Sequence, residues 1–156
     1  MVVSKIRDIS KLEDKIKVYF ENNKDLLKTA FIHSSYANEH KNCESNERLE
    51  FLGDAVLGLV IAEYCYTNFQ GSEGELTEKR KYFVKNINLA KVADKIGLEE
   101  YLHLGEGENK NTYDKAKDKR IGNALEALIG AIFLCKDYKT AKKFIESTFP
   151  QNLDSS

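Results

Sequence analysis

The spacing of apolar positions predicts helices along nearly the whole chain. Leu12, Ile16 and Tyr19 fall on one side of a first helix, which Ser10-Lys-Leu-Glu13 opens as a capping box. A second helix, from about Lys24 to Ala37, carries Leu26, Leu27, Ala30 and Phe31. The polar run from His40 to Ser45 reads as a loop. A long third helix starts near Asn46 and reaches about Phe69, and Gly71-Ser-Glu-Gly74 is a turn. A fourth helix, with Phe83, Val84, Ile87, Leu89 and Val92 apolar, stops near Gly97. Residues 105 to 118 form a polar loop. A fifth helix runs from about Lys119 to Cys135, and a last one, capped by Thr140, carries Ala141, Phe144 and Ile145. The expected fold class is all-α, with one domain over residues 1–156 and neither repeat nor linker.

Two of these helices are unusually apolar. From Leu49 to Ala62 (LEFLGDAVLGLVIA) the only polar side chains are Glu50 and Asp54, and from Ile121 to Cys135 (IGNALEALIGAIFLC) they are Asn123 and Glu126. A helix apolar on nearly every side is a buried helix, and carboxylates inside it are costly unless paired or metal-bound. At 100° per residue Glu47, Glu50 and Asp54 lie within about 60° of one another, and Asn123 and Glu126 share a face at i and i+3. If the two faces cross, three acids and an amide converge. Such a cluster needs a cation or extra protons. Oxygen ligands without Cys or His suit Mg²⁺ or Mn²⁺. An ion so held activates water and stabilises charge on a phosphoryl group. The competing reading is a buried salt-bridge network in which Arg48, Arg80 or Arg120 neutralises the acids. Glycines at 53, 58, 122 and 130 suit close helix approach or plain packing alike. Elsewhere the chemistry is thin. Glu100-Tyr-Leu-His103 is an ExxH without a second copy, His33 in FIHSSY reads as a hydrogen-bonded structural histidine, and Gly105-Glu-Gly-Glu108 lacks the P-loop lysine.

Composition narrows the class. Apolar residues are 42% and charged residues 31% of 156, which suits a globular protein, and one proline with nine glycines is too few turn residues for an all-β domain. No apolar run approaches the ~20 residues of a membrane span, and MVVSKIRDIS has no apolar signal core. Three cysteines with no CxxC exclude a disulfide framework and a cysteine zinc site, and point to a reducing, cytoplasmic compartment. The net charge of −1 hides separated blocks. Lys79 to Lys95 holds six basic residues against Asp94, and Lys110 to Arg120 holds five against Asp114 and Asp118. Solvated helix faces are the ordinary explanation for any one block.

The stretch from Glu47 to Ala55, ERLEFLGDA, resembles the signature of the ribonuclease III endonucleases. LLKTAFIHSSYANE resembles the family segment before it, GELTEKRKYFVKNINLAKVA the segment after it, and LHLGEGE and IGNALEALIGAIFL the last two blocks, so the resemblance runs from about Leu26 to Ile145. It implies an all-helical endonuclease domain that works as a homodimer. The family cleaves double-stranded RNA with Mg²⁺ and water, leaving 5′-phosphate and 3′-hydroxyl ends, and Mn²⁺ is an expected substitute. The family's metal and catalytic positions fall on Glu50, Asp54, Asn123 and Glu126, accessory acids on Glu47 and Glu75, and the aromatic that enters a socket on the partner on Phe51. The basic blocks, with Lys79, Arg80, Lys81, Lys85, Lys110, Lys115 and Lys117, are then expected to flank a groove leading to the acids and to hold phosphates. Two departures stand out. The family usually has Asp at position 123, and an amide there keeps an oxygen but loses a charge. The expected domain is also alone, without the C-terminal double-stranded-RNA-binding domain of many members. Both departures favour an alternative, a non-catalytic RNA-binding or ribosome-associated relative, which the intact Glu50, Asp54 and Glu126 oppose. A dimetal oxidase bundle would need histidine ligands that the two apolar helices lack.

Overall fold

The computed structural model describes residues 8–108 and 115–149. Among these residues the elements are helices: α1 (Ile9–Ile16), α2 (Lys24–Thr29), α3 (Ser34–Glu39), α4 (Glu47–Asn68), α5 (Glu73–Phe83), α6 (Asn86–Lys95), α7 (Lys115–Cys135) and α8 (Tyr138–Thr148). Helix α7 is the axis of the molecule. From Ile121 to Ile132 every residue is buried except Asn123 and Glu126. Helix α4 packs along it more extensively than any other element, with α6 second.

Several sequence expectations are corrected at their ends. Asp8, not Ser10, caps α1 and accepts from the Ser10 N–H at 3.0 Å. Glu13 is buried and bonds elsewhere. It accepts from the Phe20 N–H at 2.8 Å and meets Lys24 at 3.1 Å, closing the corner between α1 and α2. Likewise Asp137 caps α8 by accepting from the Thr140 N–H at 2.7 Å. In both helices the carboxylate just before the expected cap reaches the free N–H groups first.

Two expected helices are each broken in two. The segment from Lys24 to Ala37 opens at residues 30 to 33, where Ile32 forms a single parallel bridge with His103. The His33 N–H goes to the His103 carbonyl at 3.1 Å and the His103 N–H to the Phe31 carbonyl at 2.8 Å, so a distant strand-like segment outbids the local helix. The stretch from Gly74 to Gly97 breaks at Val84 and Lys85, where Lys85 is extended and Asn88 Nδ2 donates to the Tyr82 carbonyl at 2.6 Å. Gly97 does end α6, with a φ of 68° that favours glycine. Helix α7 begins at Lys115 rather than Lys119, and residues 109–114 of the expected loop lie outside the described set.

The expectation that α4 is buried on all sides also fails. It buries Leu49, Gly53, Val56, Leu57, Val60, Ile61 and Cys65, but Phe51 is 81% exposed, Leu59 57% and Tyr66 80%. One side of α4 is core. The other carries an apolar stripe that the described residues leave exposed.

Candidate active site

The site arises where α4 crosses α7. A Cβ on Gly53 would collide with the Glu126 carbonyl, and one on Gly130 with the Leu49 carbonyl, so backbones touch at this crossing. Glu50 lies one turn from Gly53, and Glu126 one turn from Gly130. The glycines therefore bring two acidic positions on different helices to the same edge of the contact. Gly58 has no such role, since nothing lies within 4 Å of its Cβ position.

A cavity of about 440 Å³ opens at that edge. Glu47, Glu50 and Asp54 line it from α4, and Lys119, Asn123 and Glu126 from α7. His33, Ser34 and Asn46 complete the wall, with Phe51 at its margin. Asn46 anchors this wall: its buried side chain donates to the Ala30 carbonyl at 3.1 Å, and its N–H to the Ile32 carbonyl at 2.8 Å. The start of α4 is thereby fixed against the broken segment before α3.

The electrostatics are those of crowded acids. Burial pushes the Glu126 carboxyl up to about 8, and Asp54 and Glu50 add to the shift. Glu50 is also raised, by burial first and then by Glu47 and Asp54; Lys119 and a hydrogen bond from Asn123 work against the rise. Two of the arginines in the salt-bridge reading have partners elsewhere, Arg48 meeting exposed Glu44 at 3.5 Å and Arg120 meeting Glu108 at 3.1 Å, and the charges acting on Glu126 are both negative. The donor set suits a hard divalent cation, because it offers carboxylate and amide oxygens and repels itself without one. Among the described residues no three His, Cys, Asp or Glu side chains are already gathered as closely as the ligands of a bound ion. Asn123 takes one of the four places, and the acids stand around a cavity rather than a point.

The remaining sequence candidates are dispersed. Glu75 serves α5 as half of a capping box, accepting from the Ser72 N–H at 2.7 Å, a bond that holds its carboxyl below the usual range; it does not line the cavity. Lys79 sits 4.0 Å over the Phe69 ring, Lys81 pairs with Glu78 at 2.7 Å, and Lys85 lies 5.5 Å from the Tyr82 ring. These lysines and Arg80 are exposed on or beside α5. Lys115 and Lys117 begin α7, with Lys117 paired to Glu99 at 3.0 Å, and Lys110 lies outside the described residues. None of the described ones lines the acid cavity; Lys119 does. The sequence placed Lys119 only within the basic block from Lys110 to Arg120 expected to flank the groove, and it read His33 as a structural histidine. Lys119 could have been found from its i, i+4 spacing to Asn123, whereas His33 arrives through a tertiary contact that has no sequence period.

The architecture is that of a known class of nuclease domain. The nuclease domain of Ribonuclease III from Campylobacter jejuni superposes with a TM-score of 0.82 at 36% identity, covering 96% of this chain and 99% of that one. A second structure of the same domain, which concerns structural flexibility in a region involved in dimer formation, gives 0.79 at 38% identity over 92% and 99%. A family model described as Ribonuclease-III-like matches residues 23–153. The chain belongs to the ribonuclease III family. Ribonuclease 3 of Clostridium acetobutylicum is 43% identical over 151 residues, and that of Leptospira interrogans 43% over 143. The chain spans 65% and 57% of the length of these two relatives.

Proposed function

We propose that the chain is a Mg²⁺-dependent endonuclease that hydrolyses double-stranded RNA to 5′-phosphate and 3′-hydroxyl ends. The observation that carries this is the single cavity that Glu50, Asp54, Asn123 and Glu126 line beside the glycine crossing of α4 and α7. These four side chains would hold the divalent ion. When bound, it supplies water activation and charge stabilisation at the phosphoryl group, and Mn²⁺ can replace it. Without it, the acids repel a phosphodiester. Glu126, the acid pushed furthest up, would have to give up its proton to serve as a ligand. Lys119 and the basic residues of α5 and early α7 would hold backbone phosphates, and binding would weaken with salt. The reading includes a homodimer built on the exposed stripe of α4, with Phe51 entering an apolar depression bordered by Leu26, Leu49, Leu52 and Leu134 on its partner. It also places the protein in the cytoplasm.

Asn123 is the observation that favours a second reading, a non-catalytic RNA-binding or ribosome-associated relative. Cleavage decides between them. The wild-type chain is expected to cut a long RNA duplex with Mg²⁺ and to stop in excess chelator. Glu126→Gln, isosteric and uncharged, is expected to lose more than a hundredfold in rate while keeping its helical circular dichroism. Cutting in chelator, or an unimpaired Glu126→Gln, would remove the metal-dependent mechanism.

A further inference from the structure

One edge of His33 is occupied and the other is open. Its Nδ1 caps α3 by accepting from the Ser35 N–H at 3.2 Å, and it lies 2.7 Å from the Ser35 hydroxyl. A ring nitrogen that accepts from an N–H carries no proton of its own, so the hydroxyl must also donate to it. The Ser35 oxygen in turn accepts from the Gly105 N–H at 3.0 Å. This line of donors, from Gly105 through Ser35 to Nδ1, leaves Nε2 as the only place for the proton of the neutral ring. Burial lowers the affinity of the ring for a second proton, with Arg120 adding to the effect and Glu108 and Glu47 opposing it. Nε2 makes no hydrogen bond among the described residues, and it is not sealed in, because no buried side-chain nitrogen or oxygen there lacks a partner. His33 lines the same cavity as Glu50, Asp54 and Glu126. Its backbone is held on both sides: its N–H donates to the His103 carbonyl at 3.1 Å, and its carbonyl accepts from the Tyr36 and Ala37 N–H groups at 3.0 and 3.1 Å.

We propose that His33 contacts the substrate in the acid cavity, its Nε2–H donating to a backbone oxygen of the RNA beside the bond to be cut. The inference rests on the nuclease reading above and adds a residue to it. A fixed neutral donor suits this wall. It supplies a hydrogen bond without a positive charge that would compete with a divalent ion for the carboxylates. The RNA backbone offers two acceptors of this kind, a phosphate oxygen and a ribose 2′-hydroxyl.

Asparagine and glutamine at position 33 separate the two edges. His33→Asn keeps a strong N-cap but does not reach the Nε2 position, whereas His33→Gln brings an amide N–H to it. The readouts are thermal unfolding, duplex binding by fluorescence anisotropy in chelator, and kcat/KM for cleavage with Mg²⁺. His33→Asn is expected to unfold at the wild-type temperature, yet to lose about five- to tenfold in kcat/KM and a few-fold in duplex affinity. His33→Gln is expected to recover most of both. Ser35→Ala, which releases the tautomer, is expected to lose a smaller part. Duplexes carrying one 2′-deoxynucleotide or one phosphorothioate at the cleavage site identify the acceptor, as the change that slows wild type but not His33→Asn. Wild-type cleavage and binding in His33→Asn would overturn the inference and leave only the cap. A wild-type chain that binds duplex RNA but never cuts it removes the nuclease reading, and the two affinities then decide His33 by themselves. A wild-type chain that binds no duplex overturns both.

Discussion

At the scale of single residues, Asn123 and Glu126 carry the sharpest consequences. They are the two polar breaks in an otherwise sealed stretch of α7. Asn123 gives Glu50 a hydrogen bond where an aspartate would give a negative charge. Asn123→Asp is therefore expected to lower the Mg²⁺ concentration for half-maximal cleavage several-fold, as a charge contact in a half-buried site is worth on the order of 1 kcal/mol. A Mg²⁺ titration of rate checks this; an unchanged midpoint would take position 123 away from the metal. Glu126 makes the metal-free fold sensitive to pH. Its folded value is about 8 against 4.5 for the free side chain, so between these two values the folded state keeps a proton that the unfolded chain releases. Stability in chelator should then fall as pH rises through that window. The melting temperature is expected to drop by roughly 5 °C from pH 5 to pH 8, and Glu126→Gln to flatten the drop. Differential scanning calorimetry in chelator measures both, and a wild-type profile equal to that of Glu126→Gln would be the contrary result.

At the scale of elements, the crossing of α4 and α7 is both core and site. Gly130 sits against the Leu49 carbonyl, a backbone atom that cannot rotate away. Gly130→Ala is expected to destabilise the fold by roughly 1–3 kcal/mol and to depress cleavage beyond that, because separating the helices moves Glu126 from Glu50. Urea unfolding and rate at a permissive temperature separate the two effects. The helix faces that build this crossing were legible in the sequence, Glu50 and Asp54 on one apolar run and Asn123 and Glu126 on the other, whereas the glycines at 53, 58, 122 and 130 did not show which of them bring the backbones together. The breaks at residues 30 to 33 and at Val84–Lys85 were not. Periodicity reports which side of a helix is apolar, and both broken segments keep their period across the break. What interrupts them is a partner far along the chain, His103 in one case, and a side chain on the next helix, Asn88, in the other.

At the scale of the whole molecule, the exposed side of α4 explains why its sequence looks buried all round. Phe51, Leu59 and Tyr66 are left exposed by the described residues. If a second copy covers them, Phe51→Ala removes the same contact twice, and the dimer should weaken on the order of a hundredfold or more. Monomer stability should hardly change, since Phe51 is 81% exposed in the single chain. Sedimentation equilibrium at micromolar concentration tests this, and a monomeric wild type would remove the homodimer.

The amino-acid sequence by itself determined the helical class, the two apolar helices and the four oxygen-bearing positions on them, because each depends on residue spacing within one element. Tertiary structure decided what spacing cannot encode. His33 joined the cavity from a segment far from both long helices, and an apolar helix kept one side for the surface. Both outcomes turn on which distant segment arrives at a wall or covers a face, and that is settled only when the chain packs.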